Sequence, residues 1–223
     1  GVMCGIMDQF ASMFGKKDQL IKLDCRSLEY EYKPLLLEGY KLVLFNTNVK
    51  HSLASTEYNT RRQQCEQGVA WIKEFHPQVN SLRDVSMEML TKYVLDKDAL
   101  VYKRCGFVVE EIKRLLDACK DLDNGNIISL GKKMFATHEG LSNDYEVSCK
   151  ELDCLVNAVK NNPAVLGARM MGGGFGGCTI NLVEADAVER FMDTVRPAYE
   201  ERTGKRPEIF VSRAMPGAGE VAG

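Results

Sequence analysis

Strand-like segments stand near both ends of this 223-residue chain, and a long stretch with helical periodicity separates them. Short apolar runs predict strands over 20–24, 28–33 and 41–47, and again over 178–183 and 208–213. A sheet has an apolar face to cover, and the helical middle section is the part of the chain available to pack on it. The order of the segments therefore predicts an α+β fold, with the helical section packed on sheet strands drawn from both ends.

Capping and breaking residues divide the helical part of the chain. Ser55 is a favourable N-cap, and Pro77 ends the helix that follows it. The sequence Asp123-Asn124-Gly125 separates two later helices, and Gly204 provides the C′ residue of the last one. After the helix from Ser55 to Pro77, the pattern predicts helices over 86–95, 97–121, 126–139, 146–161 and 185–203.

Composition excludes several classes of partner. The 29 basic and 31 acidic residues leave a net charge of −2, so a basic nucleic-acid-binding surface is not expected. No apolar run approaches the ~20 residues of a membrane span. The eight cysteines form no C-x-x-C pair, and the three histidines lie far from one another. With no secretory signal near Gly1, this pattern predicts reduced thiols and a cytoplasmic protein.

The first candidate site is GVMCGIMDQF, residues 1–10, in which Asp8 stands among apolar and small residues. In one interpretation Asp8 lies in the first turn of a helix, where the helix dipole favours a carboxylate. In the other, Asp8 is held in a dry pocket and orients or deprotonates a hydroxyl group. Gly5 would let a ligand approach the backbone closely.

The second candidate site is the polar segment Asn46–Ser52, which follows a predicted strand and leads to Glu57 and Tyr58. Loops between a strand and a helix often carry binding groups, although a polar loop ending in a helix cap has the same composition. Tyr58 can offer its phenol to a sugar hydroxyl, or it can simply pack. Both interpretations stay open at this point.

The third candidate site is the glycine-rich run over 172–177, preceded by Ala168-Arg169-Met170-Met171. It matches G-x-G-x-x-G formally, but a strand follows it where a dinucleotide-binding motif requires a helix. It lacks the Lys-Ser/Thr ending of a P-loop. Each glycine costs about 0.5–1 kcal/mol of backbone entropy compared with alanine, so we expect this backbone to approach a ligand or another loop closely. The glycines are Gly172, Gly173, Gly174, Gly176 and Gly177.

Together these segments resemble the galactokinases, which belong to the GHMP small-molecule kinase superfamily. The resemblance rests on GVMCGIMDQF, NTNVKHSLASTEYNTRRQQCE and GARMMGGGFGGCTINLV, in that order, and it extends more weakly to the closing EIFVSR. The MDQ ending of the first motif favours galactokinases over mevalonate-type relatives. The resemblance implies a GHMP-kinase C-terminal domain over 56–223, with helices on a mixed or antiparallel sheet and a ferredoxin-like core. Residues 1–55 would be the tail of an N-terminal domain.

The resemblance also implies roles for individual residues. Asp8 matches the proton acceptor for the anomeric hydroxyl of the sugar, Gly5 a glycine that lies against the sugar, and Tyr58 a tyrosine that hydrogen-bonds galactose. The glycine run, Gly172–Gly177, matches a turn that abuts the nucleotide phosphate loop. In such enzymes ATP and Mg²⁺ phosphorylate galactose at O1, which gives galactose 1-phosphate and ADP.

The chain departs from the family pattern because it contains no GEH(T/N)DY motif and no Ser-rich phosphate loop. The family's magnesium ligands, and an arginine that pairs with the catalytic aspartate, belong to that absent part. We therefore expect no metal site in this chain, and a fragment that is inactive by itself. We also expect strands such as 41–47 to have lost neighbours, so that exposed surface promotes self-association. The alternatives are a kinase for N-acetylgalactosamine or arabinose, and a non-catalytic galactokinase-like sugar sensor.

Overall fold

The computed structural model describes residues 5–49 and 54–219. Short 3₁₀ turns at Leu82–Asp84 and Ala185–Ala187 accompany the regular elements. In chain order these elements are α1 (Met7–Phe14), β1 (Gln19–Leu23), β2 (Tyr30–Pro34), β3 (Tyr40–Asn46), α2 (Ala54–Lys73), α3 (Met87–Tyr93), α4 (Ala99–Asp123), α5 (Ile127–Asn143), α6 (Lys150–Val159), β4 (Val165–Met170), β5 (Cys178–Glu184), α7 (Val188–Thr203) and β6 (Glu208–Ser212).

A four-stranded sheet joins the two ends of the chain in the order β4-β5-β3-β6, and every neighbouring pair is antiparallel. Val43 of β3 lies opposite Asn181 of β5 on one side and opposite Val211 of β6 on the other. The predicted α+β fold is confirmed. The expectation that residues 41–47 had lost their neighbours is wrong, because β3 is hydrogen-bonded along both of its edges.

The main hydrophobic core lies between this sheet and helices α6 and α7. Alternation along β3 buries Val43 and Phe45, and the Phe45 ring meets Phe191 of α7 edge-on at 5.5 Å between centroids. Each fully buried side chain of this size stabilises the fold by about 1.5–3 kcal/mol. Further members of this core are Leu155, Val156, Val159, Val165, Ala168, Val183, Val188, Val195 and Tyr199.

Helix α5 packs directly on strand β4 because glycines stand at the contact. A Cβ atom on Gly131 would lie 2.3 Å from the Leu166 carbonyl oxygen, and one on Gly167 would lie 2.3 Å from the Gly131 carbonyl oxygen. Strand β4 was not among the predicted strands. Its sequence VLGARM contains a glycine, and its register shifts between Val165 and Gly167, so the simple alternation of a strand is absent.

Helices α2, α3 and α4 form a second core that is separate from the sheet. Ile72, Leu90, Val94 and Cys105 are fully buried in it. Asp98 caps α4 by accepting hydrogen bonds from the first backbone N–H groups of the helix. Such a cap stabilises a helix by about 1 kcal/mol. The cysteines that the structure describes are all free thiols.

Strands β1 and β2 pair only with each other and form a separate antiparallel hairpin. Helix α1 lies on this hairpin through aromatic contacts, with ring centroids 5.1 Å apart for Phe10 and Tyr30 and 5.3 Å apart for Phe14 and Tyr30. Lys33 of β2 pairs with Asp123 at the end of α4, with 2.8 Å between Nζ and Oδ2. The hairpin is thus attached to the helical layer and not to the main sheet.

Across 5–49 and 54–219, no helix is both long and apolar enough to cross a membrane.

Candidate active site

The glycine loop, residues 172–177, connects β4 to β5 and has an unusual backbone. The φ angles of Gly172, Gly174, Gly176 and Gly177 are 78°, 88°, 141° and 79°, and Phe175 has a φ of 59°. Residues with a Cβ atom rarely adopt these values. The glycines therefore allow a tight turn that most other residues would strain.

The glycine loop lies against two other loops of the same chain. A Cβ atom on Gly174 would lie 2.1 Å from the Val147 carbonyl oxygen, and one on Gly176 would lie 2.7 Å from the Val49 carbonyl oxygen. The Phe175 N–H donates to the same Val147 oxygen at 2.7 Å. The predicted close approach of the glycine backbone to another loop is confirmed.

Tyr58 meets the glycine loop from α2. It stands near the start of that helix and is half-buried. A Cβ atom on Gly173 would lie 3.5 Å from the Tyr58 ring, so the ring packs on the glycine backbone. The structure thus brings together two of the three predicted sites.

The polar segment Asn46–Ser52 lies partly outside the described residues, because the description stops at Val49 and resumes at residue 54. Thr47 is fully buried, and both its N–H and its Oγ1 donate to the Gly177 carbonyl oxygen, at 2.9 and 2.8 Å. Tyr199 donates to the Thr47 carbonyl oxygen at 2.9 Å. This part of the segment anchors the end of the glycine loop to the sheet and to α7.

Two buried arginines that the sequence analysis did not single out hold the segment 144–147, between α5 and α6. Arg61 of α2 donates from Nε to the Tyr145 carbonyl oxygen at 2.7 Å and from Nη2 to the Glu146 carbonyl oxygen at 3.0 Å. Arg104 of α4 donates to the Asp144 carbonyl oxygen, and its Nη2 lies 2.6 Å from Glu146 Oε2. The Arg104 hydrogen bond lowers the pKa of the Glu146 carboxyl.

These contacts explain why α6 begins later than predicted. The predicted helix started at residue 146, whereas α6 starts at Lys150, and Glu146 has a left-handed φ of 52°. The arginines take carbonyl groups that a helix would use for its own hydrogen bonds. The only sequence signal was the position of Arg61 one helical turn after Tyr58, on the same face of α2.

Asp8 occupies a different part of the molecule. It lies in the first turn of α1, as the helix-end interpretation predicts, and its side chain is exposed. Among residues 5–49 and 54–219, no hydrogen bond or ion pair connects Asp8 to Tyr58 or to the glycine loop. Within the described residues, the helix-end interpretation therefore agrees with the structure, and the interpretation in which Asp8 is held in a dry pocket does not. Gly5 is also exposed, with open space where a Cβ atom would stand.

A cleft of about 670 Å³ separates α1 and β1 from α4 and α5. Its walls are mainly apolar and include Arg114, Arg169 and Glu111. Burial lowers the pKa of Arg169, which donates to the Met170 carbonyl oxygen at 3.0 Å. The residues that line this cleft do not include Asp8, Tyr58 or the glycine loop.

Within 5–49 and 54–219, no group of three or more His, Cys, Asp or Glu side chains is arranged to hold a metal ion. The described residues therefore include no candidate ligand set for Mg²⁺.

Comparisons with known proteins agree with this architecture. The family described as GHMP kinases C terminal matches residues 115–200. Galactokinase from Thermotoga neapolitana is 46% identical over 91% of this chain, which covers 55% of that relative. Galactokinase from Halalkalibacterium halodurans is 38% identical over 100% of this chain, which covers 57% of it. The chain thus spans about half the length of these curated relatives.

Solved structures give the same result. A crystal structure of Lactococcus lactis galactokinase complexed with galactose has a TM-score of 0.92 and 36% identity, covering 99% of this chain and 57% of that one. The likeness to L. major mevalonate kinase is limited to the fold, with a TM-score of 0.51 at 21% identity, over 90% of this chain and 50% of that one. Residues 115–200 thus match the C-terminal domain of the GHMP kinases. Over nearly its whole length the chain is similar to the galactokinases.

Proposed function

We propose that this chain supplies the C-terminal part of a galactokinase, which transfers the γ-phosphoryl group of ATP to O1 of galactose. The products are galactose 1-phosphate and ADP. The observation that carries this proposal is the packing of Tyr58 on Gly173, because it joins the sugar-binding tyrosine of the family motif to the loop that abuts the phosphates. The likeness to galactokinases over most of the chain supports the same substrate class.

In the proposed reaction the anomeric oxygen of galactose attacks the γ-phosphorus of ATP. The O1–phosphorus bond forms, and the bond from the γ-phosphorus to the bridging oxygen breaks, so ADP leaves with the electron pair. The hydroxyl proton passes to the carboxylate of Asp8. Carboxylates are weak bases toward a hydroxyl group, so Asp8 orients the hydroxyl and accepts its proton late in the transfer.

Asp8 needs surroundings that the described part of the chain does not provide. Its carboxylate is exposed, and no Lys, Arg or His nitrogen among the described residues forms an ion pair with it. A negative charge beside a triphosphate requires a cationic neighbour and protection from water. We propose that the part of the longer protein outside this chain covers α1, supplies that cation and carries the ligands of Mg²⁺.

The division of the chain into 1–55 and 56–223 stays a prediction. Strand β3 lies inside the first of these ranges but pairs with β5 and β6 of the second. This pairing favours a boundary between β2 and β3, which would leave α1 and the hairpin with the N-terminal domain. The cytoplasmic location also stays a prediction.

A coupled assay of ADP release tests the proposed function, using the full-length protein that includes this chain and, separately, the chain alone. We expect galactose-dependent turnover of ~1–100 s⁻¹ for the full-length protein and none above background for the chain alone. Parallel assays with N-acetylgalactosamine and arabinose test the alternative kinases. Calorimetry with galactose tests the sugar sensor, which would bind without turnover.

The proposal fails if the full-length protein melts cooperatively but releases no ADP with galactose. It also fails if another sugar is the better substrate by kcat/KM. Full activity of the chain alone would contradict the dependence of Asp8 on residues outside it.

A further inference from the structure

Two side chains on one face of α2 reach the glycine loop by different routes. Tyr58 touches it directly at Gly173. Arg61, one helical turn later, reaches it through the segment 144–147, whose last residue, Val147, accepts the Phe175 N–H at 2.7 Å. Helix α2 therefore contacts the glycine loop directly through Tyr58 and indirectly through Arg61 and the segment 144–147.

The guanidinium of Arg61 is well suited to this position. Its side chain is only 10% exposed, and it donates to the carbonyl oxygens of Tyr145 and Glu146 at once. Glu57, one turn earlier, accepts from Nη1 at 3.3 Å and fixes the other side of the group. A planar group with donors in fixed directions can span two successive carbonyls, whereas the ammonium of lysine cannot reproduce this arrangement.

The segment held by Arg61 would not keep its shape unaided. Glu146 has a left-handed φ of 52°, a conformation that is strained for a residue with a Cβ atom. Arg104 holds the same segment from α4, through the Asp144 carbonyl oxygen and the Glu146 carboxylate. Since Val147 follows directly, a shift of Glu146 moves the carbonyl that fixes Gly174 and Phe175.

We propose that Arg61 is a positioning residue of the phosphoryl transfer: through the carbonyls of Tyr145 and Glu146 it fixes the glycine loop against Tyr58. This inference rests on the proposed function, in which Tyr58 contacts the sugar and the glycine loop abuts the phosphate-binding part of the enzyme. Arg61 itself touches neither substrate. Arg61 sets the position of Tyr58, which contacts the sugar, relative to the glycine loop, which abuts the phosphate-binding part. A misplacement of ~1 Å can lower a rate about 100-fold.

The test compares Arg61→Gln and Arg61→Lys with the natural sequence in the full-length protein. Arg190→Gln is the matched control, because Arg190 is an exposed arginine on α7. Hydrogen exchange of the Phe175 amide reports directly on the bond to Val147. Steady-state kinetics at a temperature well below the melting point of each variant separate kcat from the KM for galactose and for ATP.

For Arg61→Gln we expect exchange of the Phe175 amide to become about tenfold faster. We expect kcat to fall about 100-fold while both KM values change less than about threefold, because alignment is lost in the transition state more than in the bound ground state. Arg61→Lys should give an intermediate loss of kcat, and Arg190→Gln should leave both measurements unchanged. A role confined to stability would lower the melting temperature of the Arg61 variants and leave kcat intact.

Unchanged exchange at Phe175 in both Arg61 variants would overturn the inference, whatever the activity. Faster exchange with an unchanged kcat would overturn it as well, since the loop would then move without effect on the reaction. If the natural protein shows no galactose-dependent turnover, the proposed function fails, and the positioning role fails with it even if Arg61 still controls exchange. Should Arg61→Gln not fold, Arg61→Lys decides by the same measurements.

Discussion

The region around the glycine loop and the region formed by α1 with the β1–β2 hairpin differ in how much of their surroundings this chain supplies. The glycine loop is supported on several sides by buried groups: Val147 and Phe175 are 4% and 8% exposed, and Thr47 is fully buried. Asp8, by contrast, lies on a helix in which no residue is fully buried. The first region is held by contacts within the chain, whereas the second presents surface that further protein could cover.

The exposed surface of the second region is largely apolar. Met7 and Met13 of α1 are 59% and 61% exposed, and Phe14 and Tyr30 beside them are 41% and 42% exposed. Single exposed apolar residues are common, but a contiguous apolar face is typical of an interface. Mutations should therefore act differently in the two regions. In the first, the loss of buried contacts should lower stability as well as activity, whereas in the second, substitutions should change activity and association with little effect on stability.

The largest expected effect concerns Asp8. In the full-length protein, Asp8→Asn should lower kcat about 1,000-fold, since the amide cannot accept the hydroxyl proton. The free energy of unfolding of the isolated chain should change by less than about 0.5 kcal/mol, because the side chain is exposed. Asp193→Asn on α7, another exposed helical aspartate, serves as the control for both measurements. A large loss of stability in Asp8→Asn would contradict the contrast between the two regions.

The next largest effect is expected from adding a side chain to the glycine loop. Gly174→Ala places a methyl group 2.1 Å from the Val147 carbonyl oxygen at a φ of 88°, so we expect a loss of about 3 kcal/mol in the free energy of unfolding. Gly39→Ala tests the backbone conformation alone, because Gly39 has a φ of 76° and open space around it. It should cost about 1 kcal/mol. Urea denaturation measures both, and equal losses would show that the contact with Val147 is unimportant.

A smaller loss is expected from the second arginine. Arg104→Met removes a side chain that is 2% exposed and leaves the Asp144 carbonyl without this donor, so the free energy of unfolding should fall by about 2 kcal/mol. The neighbouring Lys103 is 43% exposed, and its Nζ lies 3.7 Å from Glu146 Oε1. Lys103→Met should lower the free energy of unfolding by less than about 0.5 kcal/mol. The same denaturation experiment compares them. If the two changes cost the same, burial of the cation has no special role in holding the segment 144–147.

The weakest effect is expected on association of the isolated chain. Light scattering over a range of concentrations should show self-association through the apolar face of α1. Met7→Lys combined with Met13→Lys should reduce it without lowering the melting temperature, because both side chains are exposed. Val211→Lys on β6 tests the other route, since β6 is an edge strand and Val211 is 53% exposed. A monomer at all concentrations, or a reduction by Val211→Lys alone, would contradict association through α1.

Local signals in the sequence were sufficient for much of the fold. The alternation in β3, the proline and glycine boundaries, and Gly204 with its φ of 67° at the end of α7 agree with the structure. The glycine run by itself indicated close backbone contact. Such features depend on residues within a few positions of one another, and these are read directly from the order of the chain.

The positions of the sites depended on contacts between distant residues, which only the tertiary structure decides. Arg61 binds carbonyls 84 and 85 positions away, and Thr47 anchors a carbonyl 130 positions away. The central place of β3, the irregular strand β4 and the exposure of Asp8 likewise follow from which elements meet. Periodicity identifies the elements and their inward faces, but the partner of each face is chosen by packing and hydrogen bonding across the whole chain.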